Sequence, residues 1–552
     1  MRWLAVILFA GSLASAQEQI TVSNAASMLV SGTAAPGSLV LIYLTGQPGG
    51  PYTIHPASLN VTILPDGATS AQECGIIPGS GNFAQLVTPF QVLAVLPTRL
   101  PLGPAQLTLY NSGLSATAQI TIVPSSPGLF PPSAFKVQQT GADQVQTPNQ
   151  LTQPAQPGDT VTLWGTGLGS ATQVTVLLGG RATTASAGPA PGVPGVDQIQ
   201  FVVPADASIP NDCYVAVAVR TPGVISNTIS ISKTSDGSAC QSTLGLTTSD
   251  LATLDGGGTV GLAQLTVTAR VSPPIPPLRA WFNAGGAGGF DRVESALFYA
   301  IGMTALGVAQ ISGTAIADDA FLGCSVSPLF SGELGELGGG RSYDVGSRVT
   351  LQGSGGELDL TSPFPPPYAF FAGTETSPTV STPSQLLSPV FDPGTWTFSG
   401  SGGPGSSESI GVSPFSAPLT LPPEMMATNF NALQTINRQM DLVVTWNPAG
   451  FGQQDVLTST LSASTVPGGP NTGQTAVICN VPATSGQLVI PASILQNLAP
   501  SPLVAVGGAY MQLSVARRQG PTRTFSIPLM EGGSVPAVLQ FASFEFWPVA
   551  IE

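Results

Sequence analysis

The segment Pro36-Gly37-Ser38-Leu39-Val40-Leu41-Ile42-Tyr43-Leu44-Thr45-Gly46 returns later in the chain as Pro157-Gly158-Asp159-Thr160-Val161-Thr162-Leu163-Trp164-Gly165-Thr166-Gly167. In both, Pro-Gly precedes a run of apolar and β-branched residues, and Thr-Gly closes it. Proline presets one turn dihedral and glycine supplies positive φ, so the pair launches a strand and the second glycine ends it. The match continues. Asn60-Val61-Thr62-Ile63-Leu64 answers Gln173-Val174-Thr175-Val176-Leu177, and Val95-Leu96-Pro97 answers Val202-Val203-Pro204. Each copy ends on a last strand, Ala118-Gln119-Ile120-Thr121-Ile122 and Asn227-Thr228-Ile229-Ser230-Ile231. A period of about 107–121 residues is the size of one small β-domain.

The same punctuation runs through the rest of the chain. Gly (65) and Pro (52) make about a fifth of 552 residues, against a usual share near 12%. Between them lie short runs such as Gln106–Tyr110, Val161–Trp164, Ala263–Ala269, Trp396–Phe398 and Leu442–Trp446. Runs of this length at 8–12-residue spacing read as strands of sandwiches. Helical periodicity is confined to Met425–Asn437 and Ala492–Leu498, each of which reads equally as a capped turn. The fold class is therefore all-β, with tandem immunoglobulin-like β-sandwich domains. The expected layout is a degenerate first copy at 18–125 and a second copy at 126–233. A β-rich domain at 240–415 follows, and a C-terminal β-sandwich at 416–552. Ala372–Ser388, rich in Ser, Thr and Pro, reads as a long loop, and Gly400–Ser409 as a second flexible segment.

Residues 1–16 read as a signal peptide. Met1-Arg2-Trp3 is positive, Leu4–Ala10 is apolar and too short to span a bilayer, and Ala14-Ser15-Ala16 is a small-residue cleavage site. No Cys follows that site, and no window is apolar enough for a transmembrane segment. The expected location is extracellular or at the cell surface, with the periplasm left open. Disulfides are then chemically allowed. Five cysteines without a CxxC pair leave at least one thiol unpaired within the chain. Cys240 and Cys324, each beside a Ser or Gly turn in the same expected domain, are the candidate disulfide. Cys479, in Ala476-Val477-Ile478-Cys479, reads as a buried apolar thiol.

Most chemistry is excluded. A net charge of −14 with only two lysines, Lys136 and Lys233, argues against nucleic acid. A single histidine, His55, rules out a His-rich metal centre, and its Tyr52–Pro56 setting reads as a surface loop. There is no G-x-S-x-G elbow. Gly285–Gly289 and Gly338–Gly340 lack the strand-to-helix setting of a phosphate cradle and read as turns. The close acid pairs Asp318-Asp319 and Asp250 with Asp255 are the nearest approach to a catalytic or calcium-binding pair. Gly285–Gly288 before Phe290-Asp291 nearly matches a calcium nonapeptide, with the acid one place late. No catalytic, cofactor or metal residue is assigned; calcium stays open. Trp164, Trp396 and Trp446 lie in strand patterns and read as core, which leaves Trp281 and Trp547 as candidate sugar platforms.

The second copy resembles an IPT/TIG-type immunoglobulin-like module, close to a domain family recurrent in secreted proteins of soil bacteria. The residues that carry the likeness are Pro127–Phe130, Pro157-Gly158, Thr166–Gly169, Gly179-Gly180, Gly188-Pro189-Ala190-Pro191-Gly192, Gln198, Val203-Pro204 and Ser226-Asn227. The first copy lacks the Gly-Pro-Ala-Pro-Gly stretch. More weakly, Phe290–Phe298, Gly323-Cys324 and Pro393–Phe398 resemble segments that accompany this module. The resemblance implies a fold and a secreted context, and no reaction.

Two functions follow as expectations. The first is a secreted or cell-surface, non-enzymatic, multi-domain structural or adhesion protein whose partner is an unidentified protein or polysaccharide outside the cell. The alternative is a secreted carbohydrate-binding or accessory module attached to a weak hydrolase in 240–552. Residues 234–552 carry 21 acids and 9 bases, so nearly all the net charge sits there.

Overall fold

A computed structural model describes residues 19–28, 32–45, 58–77, 91–112, 114–132, 135–171, 173–242, 244–271, 292–303, 323–329, 338–354, 356–360, 368–372, 393–407, 409–421, 423, 425–452, 455–464, 474–498, 500–501, 509–517 and 524–552. The repeat is visible first as register. In the first copy Leu39–Thr45 pairs antiparallel with Gln91–Val95, placing Leu39 opposite Val95. In the second, Thr160–Thr166 pairs with Asp197–Val202 and places Thr160 opposite Val202. The Pro-Gly turns behave alike, with Gly37 at φ +76° and Gly158 at φ +94°. Beyond them the Leu96 amide donates to the Ser38 carbonyl, as Val203 does to Asp159.

Each copy crosses between its layers on one strand. In the first, Gln72-Glu73 pairs with Asn60–Pro65, and Gly75–Ile77 pairs with Gln91–Val95. Cys74 is the corner between them. In the second, Arg181–Pro189 pairs through Arg181–Ala185 with Val174–Leu178 and through Ser186–Pro189 with Asp197–Val202. Alternation then fills two separate cores. Val40, Ile42, Val61, Ile63, Leu107 and Ile120 pack in the first, and Val161, Leu163, Val176, Ile199, Phe201 and Val217 in the second.

Beyond the second copy, Ser534–Ile551 organises the rest. It pairs in parallel with Val260–Val271, and antiparallel with Ala509–Arg517 and Thr524–Pro528. The stretches 240–415 and 416–552 therefore contribute to one sheet. A four-stranded sheet packs on part of it, running Gly356–Leu360, Val349–Gly353, Gly394–Gly400, Phe415–Leu421. Trp396, Phe398 and Leu419 of that sheet meet Leu265, Ile527 and Ala537.

Met425–Asn437 forms only a 3-10 turn at Phe430–Leu433 before the strand Thr435-Ile436, while Ala492–Leu495 is a single α-turn. The longer helix, Thr248–Asp255, lies elsewhere and starts on a capping box between Thr247 and Asp250. Gly338–Gly340 opens the strand Gly338–Asp344 instead of forming a turn. Gly400–Ser409 is tied down: the Ser401, Gly402 and Gly403 amides donate to carbonyls of Arg348, Val345 and Val412. Among the described residues no helix is long and apolar enough to cross a membrane.

Candidate functional site

The two copies differ where they meet. Leu39-Val40-Leu41-Ile42-Tyr43 is apolar throughout, whereas Thr160-Val161-Thr162-Leu163-Trp164 alternates. Continuous apolarity belongs to strands buried on both faces, alternation to strands with one solvent face. The structure supplies the cover. Leu39, Leu41 and Leu93, on the outer face of the first sandwich, pack with Phe130, Phe135, Ala190 and Val196 of the second. Ala190 belongs to the Gly188–Gly192 stretch that the first copy lacks. That stretch is therefore part of the joint between sandwiches.

Polar pins fix this joint. Asn24 Nδ2 donates to the Ser126 carbonyl at 2.9 Å, while its Oδ1 accepts the Ala26 and Ser27 amides. Gly167, at φ +86°, has no room for a side chain, because a Cβ there would stand 2.1 Å from the Ser126 oxygen. Beside the joint, Asp197 accepts the Leu168 amide at 2.9 Å. Burial pushes its carboxyl up to about 6, against the opposing pull of that hydrogen bond.

The second copy is also fastened on its other side. Ala218 and Ile225 enter the core of the C-terminal sheet beside Met425, Leu457 and Met511. Helix Thr248–Asp255 bridges the two units, with Leu251 and Leu254 packed against Tyr214 and the Cys213–Cys240 pair. Burial raises the Tyr214 phenol, reinforced by the charges of Asp212 and Asp255.

The acids singled out by the sequence have structural partners here. Asp250 Oδ2 accepts the amide and hydroxyl of Thr247. Asp255 accepts the Leu151 amide with Oδ1, and the Thr152 amide and hydroxyl with Oδ2. Among the described residues no group of three His, Cys, Asp or Glu is placed to hold a metal ion. Lys233, one of the two lysines, is buried; its amine donates to Ile209 O and Asn211 Oδ1, and burial lowers its basicity.

The expected Cys240–Cys324 disulfide is replaced by two others. Cys213 joins Cys240 with Cα atoms 5.1 Å apart, and Cys324 joins Cys479 at 4.0 Å. The second follows from register, since Cys324 and Cys479 stand directly opposite on paired strands. Cys479 is thus buried but not a free thiol. Cys74 is the free cysteine, buried, its thiol pushed up to about 12 by that burial. Two disulfides suit an oxidising, extracellular environment.

Trp396 and Trp446 are core residues as expected. Trp164 is not in the core of its own sandwich: it is half-buried on the outer face, beside the joint. The signal peptide at 1–16, His55, Trp281, Gly285–Gly289, Asp291, Asp318-Asp319 and residues 373–388 lie outside the described residues, as does the side chain of Trp547.

No family model and no curated protein matches the chain. Among solved structures it is similar to the chicken CNTN1 FN1-FN3 domains, at 9% identity over 75% of this chain and 100% of that one, with a TM-score of 0.16. It is also similar to SGBP-B from a complex xyloglucan utilization locus in Bacteroides uniformis, at 12% identity over 97% and 98%, TM-score 0.16. A third is the ICAM-5 D1-D4 ectodomain fragment, at 10% identity over 97% and 100%, TM-score 0.12. The strand pairing itself defines the class: an all-β protein of tandem immunoglobulin-like sandwiches.

Proposed function

We propose that the chain is a secreted or cell-surface, non-enzymatic, multi-domain structural or adhesion protein, whose repeated sandwiches are IPT/TIG-type modules. The observation that carries this reading is the joint. The outer face of Leu39–Thr45 is apolar and covered by the next module, so the sandwiches are held in a set orientation, as a spacer or display scaffold requires. The use of Asp250 and Asp255 as a cap and a bridge supports the same reading, as does the pair of disulfides. The test is to assay the pure chain against ester, peptide and polysaccharide substrates, with solution scattering alongside. The expected result is no turnover and a scattering profile fitted by one rigid arrangement of sandwiches. Turnover abolished by one point substitution would refute the non-enzymatic reading. A profile that demands freely rotating sandwiches would refute the scaffold.

A further inference from the structure

Among the described residues no further sandwich packs on the face of the second sandwich that corresponds to the covered face of the first; Gln138, Trp164, Gln198 and Gln200 are half-buried there, Thr162 is buried, and the composition of the face is unusual. Five strand segments form it: Gln146–Pro148, Gln138–Thr140, Thr160–Thr166, Asp197–Val202 and the Ser186–Pro189 half of Arg181–Pro189. Register stacks their outward side chains in rows. Thr162 stands opposite Gln138 on one side and Gln200 on the other, and Gln200 stands opposite Ser186. In the next row Trp164 faces Gln198, which faces Gly188. No outward position of these segments carries a charge. Solvent-facing sheet surfaces ordinarily carry Lys, Glu and Asp.

What replaces charge is a field of amides and hydroxyls around one indole. Each glutamine offers a donor and an acceptor from one planar group, the pair that two neighbouring sugar hydroxyls complement. The Gln138 and Gln198 side chains have no hydrogen-bond partner among the described residues, and Gln200 uses one N–H on the Thr162 hydroxyl at 3.2 Å. Trp164 is held still: Nε1–H donates to the Lys136 carbonyl at 3.2 Å, and the ring lies 6.2 Å from Phe135. A fixed, half-exposed ring with one polar edge satisfied is a stacking platform for the apolar face of a pyranose. Rows cross the strands at roughly 4.8 Å per step, a spacing comparable with one sugar ring. We propose that this face binds a neutral polysaccharide chain, with Trp164 as platform and Gln138, Gln198 and Gln200 reading hydroxyls. The strand segments themselves offer no cation to an acidic polymer or nucleic acid, and among the described residues exposed Lys136 is the one charge that borders Trp164. The inference rests on the scaffold reading above and names the partner that the scaffold presents a face to.

The test is affinity gel electrophoresis of the full chain in hydroxyethylcellulose, galactomannan or soluble starch, with polygalacturonate as the acidic polymer. Retardation by at least one neutral polymer, unchanged by added salt, is expected. Gln198→Ala with Gln200→Ala should weaken it by about tenfold or more. Because Trp164 also touches the joint, Trp164→Ala is read beside its circular dichroism spectrum, and Gln138→Ala supplies a variant at a residue outside the joint's apolar cluster. No retardation by any neutral polymer would overturn the proposal, as would full retardation of the double variant. Salt-sensitive retardation by polygalacturonate alone would also overturn it, as would self-association through this face in size-exclusion runs. Each of these leaves the rigid scaffold standing. The release of reducing ends during the assay would instead defeat the non-enzymatic reading while leaving the binding face intact.

Discussion

The backbone amide of Leu39, in the first sandwich, donates a 2.7 Å hydrogen bond to the hydroxyl of Thr166 in the second. That hydroxyl in turn donates a hydrogen bond to the Gly195 carbonyl at 2.6 Å. Thr166 is fully buried, so one side chain satisfies a donor on one module and an acceptor in the loop that caps it. The loop can sit so close only because position 195 is glycine. Its φ is +76°, and a Cβ there would stand 3.1 Å from Val95.

Thr166→Val keeps the shape and removes both bonds. It leaves the Leu39 amide without its acceptor, in a region water does not reach. The expected cost is about 1–3 kcal/mol in urea unfolding. Scattering should report a looser arrangement of the first two sandwiches, and Thr166→Ser should restore most of the loss. A Val variant as stable and as compact as the parent would show that the joint does not depend on this hydroxyl.

Peptide mapping without reduction should give two linked pairs, Cys213 with Cys240 and Cys324 with Cys479, and one thiol, Cys74, that alkylates only after unfolding. The two crosslinks close loops of very different length, 27 and 155 residues apart in sequence. In the loop-entropy account, opening the longer one costs about 1.5 kcal/mol more than opening the shorter. Replacing each pair by serines and comparing unfolding midpoints checks the order. A peptide linking Cys240 to Cys324 would overturn the assignment.

The strand system was legible because it depends on local signals. Pro36-Gly37 and Pro157-Gly158 marked the turns, and aligning Leu39 with Thr160 gave the same partner positions, Val95 and Val202, that the structure shows. The joint also left a signal, in the contrast between Leu39-Val40-Leu41 and Thr160-Val161-Thr162. A doubly apolar strand says that something covers it without saying what, and the cover comes from Phe130 and Phe135 and, further along, Ala190 and Val196. The disulfides were hidden for the same reason: Cys479 meets Cys324 through a strand register that no local pattern encodes. Helix Thr248–Asp255 carries its own local signal, the capping box Thr247-x-x-Asp250 before Leu251 and Leu254, but it is a single short element amid strand punctuation.

Asp255 is expected to matter for folding and not for chemistry. Its carboxylate accepts three hydrogen bonds from Leu151 and Thr152, and so ties the bridging helix to the second sandwich. Asp255→Ala leaves two amides without their acceptor, at an expected cost of about 2–3 kcal/mol. Asp250→Ala removes only the exposed cap, worth about 1 kcal/mol. Thermal melts of both variants, with and without calcium, separate this from an ion site. If calcium stabilised the parent and Asp255→Ala abolished the effect, the bridging role would be insufficient.

Asp197 predicts how stability varies with pH. Its carboxyl is raised by burial from 3.8 to about 6 in the folded chain, so between those values the folded state holds a proton that the unfolded state has released. Folding is then favoured by acid: the contribution is complete below about pH 4, declines as pH rises through about 6, and is absent above. A shift of this size corresponds to about 1–3 kcal/mol. Asp212, also raised by burial, pushes in the same direction, so removing Asp197 should flatten part of the slope and not all of it. Asn at 197 keeps an oxygen for the Leu168 amide and cannot ionise. Asp197→Asn should therefore gain stability over the parent at pH 7–8, match it near pH 4, and lose that share of the pH dependence between. Urea midpoints taken across pH 4–8 measure this directly. A variant less stable than the parent at pH 8 would mean that the ionised carboxylate is held by partners strong enough to outweigh its burial.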